Sequence, residues 1–104
     1  QVAYLIEIGL VKAYLDAAFA ELVERKNDTI IVRFEQASLK FFLTQDYFEA
    51  ISKTHLKAKI SDNQGKVEIT FDVRNKKDYE ILEELKIFGQ TFMEIKERKE
   101  KKEA

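Results

Sequence analysis

The chain has 104 residues, of which 45% are hydrophobic and 36% charged, and it contains no Cys, Pro or Trp. This length predicts a single domain with its own core, and the apolar fraction excludes a disordered chain. The formal net charge of −1 gives no overall field that attracts nucleic acid or an anionic membrane. Without cysteine there is no disulfide, thiolate catalysis or cysteine-bound zinc, and we expect a cytoplasmic protein.

Residues 2–26 predict one long helix with apolar side chains on two opposite faces. The first face is expected to pack on the core and carries Tyr4, Ile8, Val11, Leu15, Ala18 and Leu22. The second face, which we call the alanine seam, consists of Ile6, Leu10, Ala13, Ala17 and Ala20. A surface helix normally has one apolar stripe, so two stripes predict burial on both sides. Charged residues interrupt the segment, which predicts neither a membrane span nor a signal peptide.

The middle of the chain begins with a turn at Asn27-Asp28 and a β-branched strand over residues 29–34. Residues 38–52 fit two patterns, because their apolar positions alternate as in a strand and also lie on one helix face. We favour a strand over 38–43 and a helix over 47–53. In that arrangement Asp46 and Glu49 form a capping-box pair at the start of the helix.

Residues 55–73 predict a hairpin that turns at residues 62–65. Pairing Ser61 with Lys66 puts Lys59 opposite Glu68 and His55 opposite Asp72 on the exposed face. The core face is predicted to carry Leu56, Ala58, Ile60, Val67, Ile69, Phe71 and Val73.

A last helix is predicted over residues 76–99, with a buried stripe of Ile81, Leu85, Phe88, Phe92 and Ile95. Residues 97–104 are expected to form a charged, frayed tail that projects into solvent. The fold class is therefore α+β, with a single domain over residues 1–104. Its order is α-ββ-α-ββ-α, with an antiparallel sheet of about four strands in two hairpins, a short middle helix and long terminal helices.

No residues in the sequence form a catalytic pattern. His55 is the only histidine, and its predicted neighbour Asp72 makes an ordinary surface ion pair because no nucleophile accompanies them. Glu80, Glu83 and Glu84 are expected to lie on a solvated helix face. We therefore expect no catalytic residue, metal site or cofactor, and no enzyme activity.

The basic residues of the predicted hairpin support a nucleic-acid interpretation. A sheet face with such charges contacts phosphates, and exposed aromatic side chains would stack on bases. Phe71 belongs to the core set, and acidic residues neutralise part of the face, so we hold this interpretation as the alternative. The contact face would consist of Lys53, His55, Lys57, Lys59, Lys66 and Arg74.

The main functional hypothesis rests on the alanine seam. Left in water, the seam would be an apolar patch of the kind that marks an interface, and a two-fold homodimer would pair it with its own copy. The hypothesis is a non-enzymatic interaction protein, an adaptor, accessory subunit or chaperone-like binder with a protein partner and no membrane. The competing explanation is that the C-terminal helix covers the seam within one chain. A third interpretation is a small-molecule or lipid cavity lined by the eight Phe and four Tyr.

Overall fold

The computed structural model describes residues 2–103, apart from the side chains of residues 2–7, 39, 63, 102 and 103. Within this part, four strands form one antiparallel sheet in the order β1-β2-β4-β3. The predicted α+β fold and its order of elements are confirmed, with two short helices in the middle. The elements are α1 (Val2–Ala17), β1 (Ala20–Arg25), β2 (Thr29–Phe34), α2 (Gln36–Phe41), α3 (Thr44–Ser52), β3 (Lys57–Asn63), β4 (Lys66–Asp72) and α4 (Asp78–Glu103).

Helix α1 is shorter than predicted, since it ends at Ala17 and the chain reverses into β1. Phe19 takes a left-handed backbone conformation (φ 61°), and its N–H donates to the carbonyl of Asp16 at 3.1 Å. No Gly or Pro marks this reversal, and the helical apolar spacing runs through it. Pairing of β1 with β2 therefore overrides the local helical preference of residues 20–25.

The segment after β2 is helical where a strand was predicted, because α2 occupies Gln36–Phe41. Helix α3 then begins at Thr44. Its start is held by Asp46, whose Oδ2 accepts a hydrogen bond from the backbone N–H of Leu43 at 2.8 Å. Asp46 therefore caps from inside the first turn, which corrects the predicted cap that paired it with Glu49.

The predicted hairpin of β3 and β4 forms with its register shifted by two residues. Asn63 pairs with Lys66 across a two-residue turn, in which Gln64 (φ 56°) and Gly65 (φ 80°) both have positive φ. Ser61 then faces Glu68 and Lys57 faces Asp72. A shift of two residues keeps every side chain on its predicted face, so the core face is confirmed and the cross-strand pairs are corrected.

The aromatic side chains fill the core between the sheet and helix α4. Phe92 lies at 5.2 Å from Phe34 and at 5.0 Å from both Phe42 and Phe88, measured between ring centroids. The Phe42 and Phe88 rings meet Phe92 edge to face, the favoured geometry for aromatic pairs. The predicted stripe of α4 is buried in full. These rings pack on one another and fill the space between them, whereas the third interpretation required a cavity there.

Helix α4 extends beyond its predicted end. Arg98 pairs with Glu49 of α3 at 2.7 Å, and the Lys99 ammonium lies 2.7 Å from Oδ2 of Asp46. Lys99 also donates to the carbonyl of Phe41 at 2.9 Å. Residues 98 and 99 therefore tie α4 to α2 and α3, where a tail projecting into solvent was expected.

Candidate nucleic-acid interface

Positive charge is concentrated in one segment of this weakly acidic chain. Residues 53–77 carry seven Lys or Arg and three Asp or Glu, a net charge of +4. The rest of the chain carries eleven basic and sixteen acidic side chains, a net charge of −5. The overall charge of −1 therefore conceals a strongly uneven distribution, and a polyanion would be attracted to the segment 53–77.

The entry to β3 positions the first basic side chains of this segment. Thr54 closes a turn after α3, with its Oγ1 donating to the carbonyl of Ile51 at 2.8 Å. Leu56 is buried and anchors the chain to the core, so its neighbours His55 and Lys57 are left exposed. His55 lies in the bend before β3 and Lys57 is the first residue of β3, so both exposed side chains lie at the same end of the strand.

The connection from β4 to α4 positions the second group. The N–H of Arg74 donates to Oδ1 of Asp72 at 2.9 Å, and the N–H of Lys76 donates to the carbonyl of Val73 at 3.1 Å. Between them Asn75 has a left-handed backbone (φ 64°), which turns the chain back toward α4. Buried Val73 fixes the turn to the core, and Arg74 and Lys76 remain exposed.

The two groups line one open depression of about 320 Å³, which we call the basic notch. Within the part of the chain that the structure describes, Lys57, Arg74 and Lys76 form no ion pair. By contrast, Arg25, Arg33, Arg98 and Lys99 are all paired with carboxylates. The cations of the notch are therefore available to an anionic partner. Its lining residues are His55, Leu56, Lys57, Asp72, Arg74, Asn75 and Lys76.

The structure divides the predicted contact face. Lys53, His55, Lys57 and Arg74 gather near one end of the hairpin, whereas Lys66 begins β4 beside the turn at the other end. Asp72 comes six positions after Lys66 in β4, a distance of about 20 Å along a strand. Lys59 lies between these ends on β3. The contact face stays a prediction, and its residues do not form one continuous patch.

The predicted pair of His55 and Asp72 is wrong, because His55 contacts α4 instead. Its backbone N–H donates to Oε2 of Glu84 at 2.7 Å, and its Nδ1 lies 3.0 Å from Oε1 of the same carboxylate. The side chain of Glu84 is 14% exposed, which also corrects its expected place on a solvated helix face. The register shift is the cause, since it leaves Lys57 opposite Asp72.

The sheet face away from the helices carries charges of both signs. Arg33 of β2 lies between Glu21 of β1 and Glu68 of β4, and its guanidinium is 3.5 Å from the Glu68 carboxylate. None of the residues that alternation places on this face in the described strands is aromatic. This face therefore lacks the stacking platform of sheets that bind single-stranded nucleic acid.

The alanine seam does not form a continuous stripe. Leu10 and Ala13 are exposed on α1 and Ala17 is half-buried, but Ala20 lies in β1 and is buried in the core. Ile6 lies outside the described side chains. The close contact of α1 is with α4, where a Cβ added to Gly89 would lie 2.4 Å from Cβ of Tyr14.

A groove of about 400 Å³ lies between α1, β1 and α4. Aliphatic side chains dominate its lining, among them Val11, Leu15, Leu22, Leu82 and Leu85, and none of its lining residues is aromatic. Leu22 is 52% exposed because α1 stops before covering the outer strand. The sequence prediction missed the groove because it placed Leu22 on a helix.

Among the described residues, no cluster of three or more His, Asp or Glu side chains is arranged to hold a metal ion. No helix in the same part of the chain has both the length and the apolarity required to cross a membrane.

Comparison with known proteins shows similarity to a solved structure. No protein-family model and no curated protein sequence matches the chain. The crystal structure of the C-terminal domain of a transcription-repair coupling factor matches with a TM-score of 0.88 and 59% sequence identity. The match covers 93% of this chain and 60% of the coupling-factor chain. This chain therefore spans less than two thirds of the length of the protein it matches.

This similarity corrects the main functional hypothesis drawn from the sequence. A generic self-associating adaptor is the wrong interpretation, because a chain 59% identical over 93% of these residues is a domain of a transcription-repair coupling factor. The physical basis of the hypothesis also fails, since the seam is divided between a helix and a buried strand. The comparison agrees better with the nucleic-acid interpretation. The chain is similar, in sequence and in fold, to the C-terminal domain of a transcription-repair coupling factor.

Proposed function

We propose that the chain works as a domain of a transcription-repair coupling factor, and that its basic notch binds the phosphate backbone of nucleic acid. The similarity to the coupling-factor domain supports the first part. The observation that carries the second part is that Lys57, Arg74 and Lys76 line one depression without forming ion pairs in the described part of the chain.

Exposed cations without carboxylate partners favour binding to phosphates. Each phosphate that Lys or Arg neutralises releases condensed counterions into solution, which supplies free energy without base-specific contacts. A cation already paired with a carboxylate would first have to give up that partner. The notch therefore offers three ready contacts, with Lys53 and Lys77 exposed beside it in the chain.

The role needs no catalytic chemistry, and we expect the domain to have no enzymatic activity of its own. Its contribution is to contact the nucleic acid or the proteins of the machinery that a coupling factor joins. A factor that links transcription to repair must reach DNA. The cytoplasmic location expected from the sequence remains part of the proposal.

Charge reversal tests the nucleic-acid contact. Fluorescence anisotropy would follow binding of a labelled duplex of about 20 base pairs to the wild-type domain and to a triple variant, Lys57→Glu, Arg74→Glu and Lys76→Glu. The matched control reverses three exposed cations elsewhere, Lys12, Lys40 and Lys101. We expect the notch variant to lose binding and the control to keep most of it. Equal losses in both variants, or no binding by the wild type at low salt, would overturn the proposal.

The coupling role is tested in a longer factor that contains this sequence. The same three notch substitutions should lower the excess repair of transcribed over untranscribed strands, with the Lys12, Lys40 and Lys101 reversals as the control. Strand preference that stays at the wild-type value in the notch variant would remove the link between the notch and coupling.

A further inference from the structure

We infer that the notch binds the backbone of double-stranded DNA and does not read its bases. The inference rests on the proposed function and narrows it to one class of ligand. It follows from three features of the notch: the lack of a continuous aromatic surface, the hydrogen bonds that its acidic side chains already accept, and the two directions from which its cations come.

The first feature is the lack of a continuous stacking surface. His55 has the one aromatic ring in the lining of the notch, and the adjoining open face of the described strands carries no aromatic residue. Proteins that hold single strands combine a basic groove with aromatic rings on which successive bases stack, each stacked base adding about 1–3 kcal/mol. One imidazole offers one stacking position, so a single strand gains little here beyond its charge interaction.

The second feature is that the acidic side chains at and beside the notch already accept hydrogen bonds within the protein. One carboxylate oxygen of Asp72 accepts the N–H of Arg74, and both oxygens of Glu84 engage His55. Acidic side chains read cytosine by accepting from its amino group, and Asp72, the one acidic residue in the lining, already accepts from the backbone of Arg74. Asn75 is the one neutral amide in the lining, so it is the residue to test for base reading.

The third feature is that the cations approach from two chain segments. Lys57 comes from the start of β3, whereas Arg74 and Lys76 come from the turn between β4 and α4. Cations on two sides of a depression enclose a phosphate, and the planar Arg74 guanidinium suits two oxygens of one phosphate. A duplex has a higher density of such phosphates than a single strand, and it binds more strongly where charge alone decides.

The expected numbers follow from counterion release. With three to four phosphate contacts, the affinity for duplex should fall about 40- to 150-fold between 50 and 200 mM salt. Single strands release fewer counterions per phosphate contact than a duplex does. The duplex should therefore bind about tenfold more tightly than a single strand at 50 mM salt. Two duplexes of unrelated sequence should bind equally.

The experiment measures binding of the wild-type domain to a labelled duplex, to each of its single strands and to a second duplex of different sequence. Asn75→Gly keeps the left-handed turn while removing the amide, so its affinity for both duplexes should match the wild type. Lys12→Glu provides a charge-matched control outside the notch.

The outcomes separate the inference from the proposed function. A preference for the duplex, equal for both sequences and unchanged in Asn75→Gly, supports the inference. Equal or tighter binding of the single strand, or a sequence preference lost in Asn75→Gly, overturns the inference but leaves a nucleic-acid contact. Absence of binding to every nucleic acid at 50 mM salt, a concentration at which about three contacts still bind measurably, overturns both.

Discussion

Glu84 holds His55 at two points, by accepting its backbone N–H at 2.7 Å and by lying 3.0 Å from its Nδ1. This contact joins α4 to the strand end that forms one side of the basic notch. Because it attaches the backbone of His55 as well as its side chain, the position of this strand end depends on a residue 29 places further along the chain.

The Glu84→Ala substitution should loosen the entry to β3. Exchange of the His55 amide hydrogen should accelerate about tenfold, and the free energy of unfolding should fall by about 1 kcal/mol, the value of one lost hydrogen bond to a charged acceptor at a partly exposed site. Glu83→Ala is the control, since Glu83 is exposed on the same helix. Unchanged exchange at His55 would show that the carboxylate does not hold the strand end in solution.

The two helical glycines should respond oppositely to alanine. At Gly89 the added Cβ would lie 2.4 Å from Cβ of Tyr14, so α1 and α4 must separate, at a cost of about 1–3 kcal/mol of unfolding free energy. At Gly9 nothing lies within 4 Å, and alanine should stabilise α1 by about 0.5–1 kcal/mol. Chemical denaturation of both variants measures the difference, and a Gly89→Ala protein as stable as the wild type would exclude this close packing.

Lys99 should be more important for stability than its place near the end of α4 suggests. Lys99→Ala removes the ammonium from Asp46 and from the carbonyl of Phe41, and leaves the buried carboxylate with the N–H of Leu43. We expect a loss of about 1–3 kcal/mol in unfolding free energy, measured by urea denaturation. Lys101→Ala, on an exposed side chain of the same helix, should change stability little. Equal effects would contradict the role of Lys99.

Tyr47 should make stability fall at alkaline pH. Burial of the phenol raises the pKa of Tyr47 above its ordinary 10.0; the hydrogen bond with Ser38 opposes this shift and the Asp46 carboxylate adds to it. Because the pKa is higher in the folded state, the stability contribution is complete below pH 10 and is lost as the pH rises through the folded value.

The measurement compares the wild type with Tyr47→Phe between about pH 9 and 12. The difference in phenolate absorbance gives the titration of Tyr47 itself, and its midpoint should lie above 10.0. Unfolding free energies measured over the same range should fall more steeply for the wild type. A midpoint at or below the ordinary value would show that the Tyr47 phenol is hydrated in solution.

The parts of the fold with strong periodicity were predictable from the sequence. The buried stripe of α4 and the core face of the β3–β4 hairpin are both confirmed. Side-chain alternation predicts which face of a strand is buried, but it does not predict which residues pair across a hairpin. The two-residue shift in the register of β3 and β4 therefore could not be predicted from it. Gln64 adopts a left-handed backbone, which its residue type does not predict. This conformation allows a two-residue turn where a turn over residues 62–65 was predicted.

The errors have two sources. Residues 20–25 continue the helical spacing of α1, but pairing with β2 makes them a strand. The apolar positions of residues 38–52 fit both a strand and a helix, and the strand favoured over 38–43 is wrong because α2 extends to Phe41. The basic residues of the candidate site were visible in the sequence. Their division between the notch and the distant Lys66 was not, because it depends on the hairpin register and on the turn at Asn75.

The most direct test of the central claim is to locate the nucleic-acid contact on the protein by NMR. A duplex titrated into ¹⁵N-labelled domain at low salt should shift the backbone amides of Lys57, Arg74 and Lys76 and their immediate neighbours. The amide of Lys66 at the far turn and those of the groove around Leu22 should stay unchanged. Shifts centred on Lys66 or on the groove, or no shifts at all, would contradict the assignment of nucleic-acid binding to the basic notch.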